Sequence, residues 1–297
     1  MRWGDFRQSD NVDDRSGAGP AMGGGGGGGM RLSLGGIVIA VIAALIFGVN
    51  PLQFLGMMEG APAPAPQPQR PPSGAGPQGA PPPAATPQKQ LVRGVLGDTE
   101  DVWKAVFRTL NKPYQPPTLV LFTGRVNSAC GMASAAVGPF YCPGDQKLYL
   151  DTAFFNDLDR RFGAPGDFAQ AYVIAHEVGH HVQNVLGTMD QFDAQSKRMG
   201  ERDRNAMSVR LELQADCYAG VWGYYAKARN LLDPGDAEEG LRAAAAVGDD
   251  QIQKRMQGTV VPESFTHGSA DQRMRWFKRG FDTGDLRNCD TFKAAQI

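Results

Sequence analysis

An α+β fold is predicted for the part of the chain that follows residue 90. Short apolar runs with strand character lie between residues 119 and 150, whereas long segments with helical periodicity occupy much of residues 167–280. Strands that precede a group of helices, instead of alternating with them, are typical of this fold class. We therefore expect a small mixed or antiparallel sheet packed against several helices.

Four segments of different composition make up the 297 residues. Residues 1–31 are polar and contain a glycine run, residues 32–58 are apolar without a charge, and residues 59–90 are dominated by Pro, Ala and Gly. Such a Pro- and Gly-rich composition predicts an extended linker. Residues 91–297 are long enough to form one domain with its own core.

The apolar run at residues 32–58 is long enough to cross a bilayer, which takes about 20 residues. A cleaved signal peptide is the alternative, but a polar leader precedes the run and no clean small-residue cleavage site follows it. Four arginines precede the run and few basic residues follow it closely. The positive-inside rule predicts a single-pass signal anchor in the cell inner membrane, with a cytoplasmic N-terminus and a periplasmic domain.

The four cysteines contain no C-x-x-C pair, which argues against a structural metal cluster. Four cysteines allow three pairings, of which Cys130–Cys142 with Cys217–Cys289 is preferred. Disulfides would fit an oxidising periplasm, and reduced buried cysteines are the alternative.

The elements of residues 91–297 are predicted from periodicity and turn signals. Asp167 begins a sequence that resembles a capping box and Gly187 is a helix stop, so a long buried helix is expected between them. The polar stretch 188–205 has no core pattern and is expected to form a flap or insertion. The other predicted elements are a helix over 98–110, strands over 119–122, 135–142 and 147–150, and helices over 209–228, 236–247, 249–257 and 270–280.

The long helix carries the sequence His176-Glu177-Val178-Gly179-His180. Positions i and i+4 lie on one face of a helix, so the two histidines can hold one metal ion together. Glu177 lies about 100° further round the helix, where it can reach a metal-bound water without being a ligand. The alternative is a surface helix with solvated histidines, and the apolar neighbours of the motif fit it badly.

A third ligand is expected from the next helix. Glu212 would complete a His₂Glu set, which favours one Zn²⁺ ion and leaves a fourth position open for water. Asp216, one turn further on, is the candidate to accept the other ring N–H of a ligating histidine. Glu201 is an alternative acidic ligand, whereas His181 follows His176 by five residues and points off the metal face.

An open zinc site beside a glutamate predicts hydrolysis of a peptide bond in a protein or peptide substrate. Glu177 would take the proton of the zinc-bound water and pass it to the leaving amine. His267, in a polar loop before the last helix, could stabilise the oxyanion, although a structural hydrogen bond is as good an interpretation. A strand just upstream of the motif helix is expected to form the sheet edge to which a substrate could add.

Longer motifs along the chain carry a resemblance to a known family. They are Met1-Arg2-Trp3, residues 9–15, 138–143 and 149–151, the metal motif with the residues up to 183, residues 212–217, and His267-Gly268-Ser269. With the apolar anchor, this set resembles the neutral zinc metallopeptidase family of bacterial membrane-anchored proteins. The resemblance implies a zincin-like fold and zinc peptidase chemistry. The spacing from Glu212 to Asp216 is also similar to that of gluzincin peptidases, which supports the roles given to both residues.

Three functions are compatible with the sequence. The leading one is a membrane-anchored zinc endopeptidase that acts outside the cytoplasmic membrane. A non-proteolytic binding or scaffold protein with a structural zinc ion is a second, but such a site has no use for Glu177 and would close its fourth position. A zinc amidase of cell-wall peptides is the third. The net charge of −1, without a basic stripe, argues against nucleic acid as a partner.

Overall fold

The computed structural model describes residues 1–17, 86–134 and 138–297. Six strands and eight α-helices lie in these ranges. The strands are β1 Val12–Asp14, β2 Thr118–Phe122, β3 Arg125–Ser128, β4 Gly131–Ser134, β5 Phe140–Cys142 and β6 Lys147–Asp151. The helices are α1 Pro87–Thr109, α2 Phe154–Arg160, α3 Asp167–Leu186, α4 Thr188–Ser196, α5 Glu201–Ala228, α6 Asp236–Ala246, α7 Asp249–Gln257 and α8 Ala270–Thr283.

Four strands form one mixed sheet in the order β1-β2-β6-β5. β2 pairs in parallel with both β1 and β6, whereas β5 and β6 form an antiparallel hairpin across a turn at residues 143–146. β3 and β4 form a separate two-stranded hairpin. The predicted α+β class and the mixed sheet are thus confirmed. The sheet edge near the motif helix is β5, because β6, the strand immediately upstream, has a partner on both sides.

The first helix is longer than the sequence predicts, since α1 begins at Pro87 and not near residue 98. Thr86 is its N-cap and accepts a hydrogen bond from the backbone N of Lys89, and Pro87 supplies the fixed φ of a first helical residue. Gly94 and Gly97 break the helical pattern of the sequence, which hid this part of the helix. Residues 87–90 therefore belong to the domain and not to the predicted linker.

The stretch 188–205, for which the sequence predicts a flap or insertion, is largely helical. It contains α4 and the first turn of α5. α4 begins directly after Gly187, whose left-handed backbone (φ +81°) ends α3 as predicted. Few residues of α4 are buried, and a helix with one narrow buried face gives a weak periodic signal.

Residues 1–17, which we call the N-terminal arm, pack onto the domain. β1 extends the sheet by pairing Val12 with Leu119, and Met1, Phe6 and Val12 are buried in the same core as α1. The sequence separates a cytoplasmic segment 1–31 from a domain that begins at residue 91. The structure corrects this division, because the arm supplies one strand of the sheet.

Helix α5 lies at the centre of the helical layer and contacts α3 and α8. Glycines allow both contacts to be close. A Cβ on Gly179, inside the metal motif, would lie 2.9 Å from the carbonyl oxygen of Ala215. A Cβ on Gly280 of α8 would lie 1.9 Å from the carbonyl oxygen of Cys217. The helix with the two histidines therefore approaches the helix with Glu212 closely enough for their side chains to meet.

Both predicted disulfides are present. Cys130–Cys142 joins the tip of the β3–β4 hairpin to β5, and Cys217–Cys289 joins α5 to a 3₁₀ helix near the C-terminus. The predicted anchor at residues 32–58 and the linker up to residue 85 lie outside the described residues. In the ranges that are described, no helix is both long and apolar enough to cross a membrane.

Candidate metal centre

His176, His180 and Glu212 meet at the contact between α3 and α5. The Nε2 atom of His176 lies 3.2 Å from Oε2 of Glu212, and the Nε2 atom of His180 lies 3.5 Å from the same oxygen. The three ligand atoms all lie within 4.8 Å of one another. The structure thus brings together the three residues that the sequence predicts as ligands.

The ligand atoms have the separations that a tetrahedral zinc site requires. Bonds of 2.0–2.1 Å at tetrahedral angles place neighbouring ligand atoms about 3.3 Å apart. Burial would raise the pKa of Glu212, but the charges of His180 and His267 lower it well below its usual value. The carboxylate is therefore ionised, as a ligand must be. Glu201 is exposed at the start of α5, about 16 Å along the helix from Glu212, and is not part of this group.

Each histidine is oriented by a partner on its other ring nitrogen. Nδ1 of His176 donates to Oδ1 of Asp216 at 2.8 Å, which is the role predicted for that aspartate. Nδ1 of His180 donates to Oε1 of Gln183 at 2.9 Å. Gln183 was missed by the sequence analysis, although it lies one turn after His180 on the same helix. Both pairs leave Nε2 free for a metal ion, as in many zinc sites.

Asp216 belongs to a buried network that also contains Tyr172 and Arg273. Arg273 donates from Nε to Oδ2 of Asp216 at 2.8 Å and from Nη2 to Oδ1 at 2.9 Å, and the Tyr172 hydroxyl donates to Oδ1 at 2.6 Å. Burial would raise the pKa of Asp216, but the charges of Arg273 and His176 hold it at about 2. The carboxylate is therefore fixed in place and ionised. Arg273 was missed by the sequence analysis.

Glu177 lines the cleft beside the three ligands. The side chain is 9% exposed, and among the described residues its carboxylate has no hydrogen-bond partner. Burial raises the pKa of Glu177, although the charges of His180 and His176 oppose the shift. A carboxylate that is buried, unpaired and turned to the cleft can accept a proton from a bound water, which is the role predicted for it.

His267 lines the same cleft from the loop before α8. Its Nδ1 lies 3.1 Å from Oδ1 of Asp249, and Oδ2 of Asp249 accepts hydrogen bonds from the backbone N atoms of Thr266, His267 and Gly268. Burial would lower the pKa of His267, but the charges of Asp249 and Glu212 raise it. Asp249, which the sequence analysis missed, thus fixes the loop and favours the charged imidazole.

His181 is buried and is not part of the metal group. Its Nδ1 lies 3.1 Å from the Tyr141 hydroxyl, and its Nε2 donates to the carbonyl oxygen of Gln115 at 2.8 Å. Burial lowers the pKa of His181. The prediction that it points off the metal face is therefore confirmed.

The candidate metal centre opens into a cleft of about 610 Å³. Residues 138–141, which include the start of the edge strand β5, form part of its wall, and α4 contributes Met189 and Phe192. Phe154, Phe162 and Ile252 add further apolar surface. A cleft of this size and polarity is typical of a site for a small molecule or a short peptide segment.

An open His₂Glu set beside an unpaired glutamate in a cleft defines the class of zinc-dependent hydrolases. The model of one such family, described as "Putative neutral zinc metallopeptidase", matches residues 1–292. The chain belongs to this family, which confirms the resemblance found in the sequence.

Two curated relatives are similar to this chain. "Uncharacterized protein YpfJ" of Escherichia coli (strain K12) is 45% identical over 295 residues, which are 98% of this chain and 99% of that protein. "Uncharacterized protein Mb2605" of Mycobacterium bovis is 48% identical over 204 residues, which are 65% of this chain and 68% of that protein. No solved structure matches the chain.

Proposed function

We propose that the chain is a zinc-dependent peptidase with a zincin-like catalytic domain, which hydrolyses peptide bonds of protein or peptide substrates in the cleft described above. The observation that carries this proposal is the position of Glu177 beside His176, His180 and Glu212. A structural zinc site closes all four positions with protein ligands and needs no free carboxylate. The three ligands leave one position open, and Glu177 borders it.

His176, His180 and Glu212 would hold one Zn²⁺ ion. When bound, the ion supplies a Lewis acid that lowers the pKa of water and polarises a carbonyl oxygen. Asp216 and Gln183 keep the two imidazole rings in the tautomer that offers Nε2. The protein therefore fixes the ligand geometry before the ion arrives.

Glu177 moves the proton in this proposal. Its carboxylate accepts a proton from the attacking water and later donates it to the nitrogen of the scissile bond as that bond breaks. The raised pKa of Glu177 makes it a better proton acceptor than a solvent-exposed glutamate. The side chain has no competing hydrogen bond in the described structure. It can therefore accept and donate the proton without first breaking a contact.

His267 stabilises the negative charge that develops on the carbonyl oxygen. In its charged form the imidazole is a hydrogen-bond donor at the cleft wall, and Asp249 keeps the ring in position. Such preorganised donors typically contribute about 2.7–4 kcal/mol to a transition state of this kind. The pair of His267 and Asp249 favours this role over a purely structural hydrogen bond, because the ring lines the cleft.

The edge strand β5 supports an extended substrate. In the described part of the chain β5 pairs only with β6, so its other edge has backbone groups without a strand partner there, and Phe140 and Tyr141 line the cleft. A peptide could add to this edge by main-chain hydrogen bonds while its side chains contact the apolar wall. The two disulfides support a location in an oxidising compartment, outside the cytoplasmic membrane.

The test compares cleavage of a peptide library by the full chain with cleavage by Glu177→Gln. We expect the variant to bind zinc normally, since Glu177 is not a ligand, and to lose activity about 10²–10⁴-fold. Glu238→Gln, an exposed glutamate of α6, is the matched control and should cleave as the wild type does. Zinc content measured on all three proteins separates loss of catalysis from loss of metal.

Two results would contradict the peptidase proposal. If Glu177→Gln cleaves as fast as wild type, the glutamate does not move the proton. If no form cleaves the library although all retain zinc, a binding protein or a cell-wall amidase is favoured. Purified cell-wall fragments then separate these two, because only the amidase releases peptides from them.

A further inference from the structure

The N-terminal arm completes the hydrogen bonding of a buried carboxylate in α1. Glu100 is 2% exposed. Ser9 Oγ and Asn11 Nδ2 donate to its Oε1 at 2.6 and 2.8 Å, and Arg7 Nη2 donates to its Oε2 at 2.6 Å. All three donors come from the arm. A buried carboxylate without partners is costly, so α1 requires the arm.

The backbone of the arm lies directly against α1 where two glycines leave room for it. A Cβ on Gly97 would lie 2.1 Å from the carbonyl oxygen of Arg7, and a Cβ on Gly94 would lie 3.2 Å from that of Trp3. The side chain of Arg93 also donates to the carbonyl oxygen of Ser9 at 3.0 Å. Contacts this close are formed by parts of one packed domain, and not by a loosely attached tail.

The first residue of the arm is held between two helices of the catalytic domain. The amino group of Met1 lies 2.9 Å from Asp167, at the start of α3. It also lies 3.3 Å from Asp236, at the start of α6, and 3.3 Å from Asp233 in the loop before that helix. Asp167 therefore binds the amino group of Met1. The N-cap of α3 is Gly166 and not Asp167. The arm thus contacts the helix that carries the metal motif.

The chain leaves the domain and returns to it at neighbouring points. Asp14, near the end of the arm, forms a 2.7 Å ion pair with Lys89, at the start of α1, and Thr123 donates to the carbonyl oxygen of Ser16. The apolar run of residues 32–58 lies in the sequence between these points. If that run crossed a membrane once, the arm and the domain would lie on opposite sides and none of these contacts could form.

We propose that the N-terminal arm lies on the same side of the membrane as residues 86–297, as a permanent part of the catalytic domain. This replaces the single-pass topology with a cytoplasmic N-terminus. The arginines of the arm, on which that topology depends, are used in ion pairs with Asp5, Glu100 and Asp13.

The test measures on which side the arm lies in cells that make the full chain. Gly4→Cys places a thiol on the exposed surface of the arm, where no atom lies within 4 Å of the new Cβ. Lys254→Cys, exposed on α7, reports the side of the catalytic domain. Each variant is treated with a membrane-impermeant maleimide before and after lysis of the inner membrane. The proposal does not depend on peptidase activity, so the readout is labelling alone.

We expect the two thiols to become labelled together, either both before lysis or both only after it. The two disulfides predict that both thiols are labelled before lysis, because disulfides persist in an oxidising compartment outside the cytoplasm. Labelling of Lys254→Cys before lysis and of Gly4→Cys only after lysis would place the arm and the domain on opposite sides and overturn the proposal.

A cross-link tests the docking itself. An ideal Cβ on Gly94 lies 3.3 Å from Cβ of Phe6, close to the roughly 3.5–4.5 Å of a disulfide, so Phe6→Cys with Gly94→Cys should cross-link in membranes treated with a mild oxidant. Gly4→Cys with Gly94→Cys is the matched control and should not. Absence of the cross-link in protein that binds zinc as wild type does would contradict the docked arm.

Discussion

At the scale of single residues, the candidate metal centre depends on groups that are not themselves proposed ligands. Asp216 holds the ring of His176, and Arg273 and Tyr172 hold Asp216. Orienting partners of this kind are worth about 10–100-fold in metal affinity in zinc proteins. The affinity of the site should therefore respond to a change at Asp216, although Asp216 is not a ligand.

We predict that Asp216→Asn lowers zinc affinity about 10–100-fold. The amide keeps the shape of the side chain but loses the charge that pairs with Arg273 and the second acceptor oxygen. Competition with a chromogenic chelator measures the change, and Asp271→Asn, an exposed aspartate in the first turn of α8, is the control. Equal affinity for wild type and Asp216→Asn would show that His176 does not need this partner.

Sequence reasoning selected the candidate ligands and their carboxylate partner because helix geometry relates them. His176 and His180 are one turn apart, as are Glu212 and Asp216, so each pair shares a face. Arg273 and Asp249 have no such relation to the motif. Arg273 is one of several basic residues on α8, and only the packing of that helix against α5 selects it.

At the scale of secondary-structure elements, close helix contacts position the site. Gly220 and Gly280 face each other between α5 and α8. A Cβ on Gly220 would lie 2.0 Å from the carbonyl oxygen of Phe277, and one on Gly280 would lie 1.9 Å from that of Cys217. Both obstacles are backbone atoms, so relief requires one helix to move. The same helices carry Glu212, Asp216 and Arg273.

We predict that Gly280→Ala lowers the free energy of unfolding by about 1–3 kcal/mol, as overpacking of a core does. Alanine favours a helix by about 1 kcal/mol over glycine, but the clash with backbone exceeds this gain. Denaturant unfolding measures the change. Gly4→Ala, where no atom lies within 4 Å of the new Cβ, is the control and should be nearly neutral. A stabilised Gly280→Ala would mean that α5 and α8 are further apart.

The elements with strong periodicity were predicted and those without it were not. The strands at 119–122 and 147–150 and the helices after residue 209 are found close to the predicted positions. The first half of α1 was missed because Gly94 and Gly97 look like helix breakers. Both glycines are needed because the arm packs directly against them. The arm is distant in the sequence, so local patterns could not reveal that this segment is helical.

At the scale of the whole molecule, the arm joins the start of the chain to the helix of the metal motif. β1 has only three residues, too few for a strand pattern, and the apolar run that follows the arm suggests a membrane boundary. The sequence therefore favoured separate segments. The packing of Met1, Phe6 and Val12 into the common core shows that the arm is part of the domain.

The amino group of Met1 makes this packing dependent on pH. Burial would lower the pKa of the amine, but the hydrogen bond and the charge of Asp167, with those of Asp236 and Asp233, raise it above the usual value of 8.0. A group whose pKa is raised by folding stabilises the fold below its unfolded pKa and loses that contribution as the pH rises through its folded pKa. Above that range, the unprotonated amine leaves three carboxylates without their cation.

We therefore predict that the free energy of unfolding falls between about pH 8 and the folded pKa of this amine. Other groups also titrate in this range, so the measurement compares the chain with the same chain acetylated at Met1, by denaturant unfolding at several pH values. Acetylation removes the charge, and the acetylated chain should be less stable at pH 7. The difference between the two should shrink as the pH rises, because only the unmodified chain has a cation to lose. A difference that stays constant would mean that the arm is held by its strand and by Glu100, and not by the amino group.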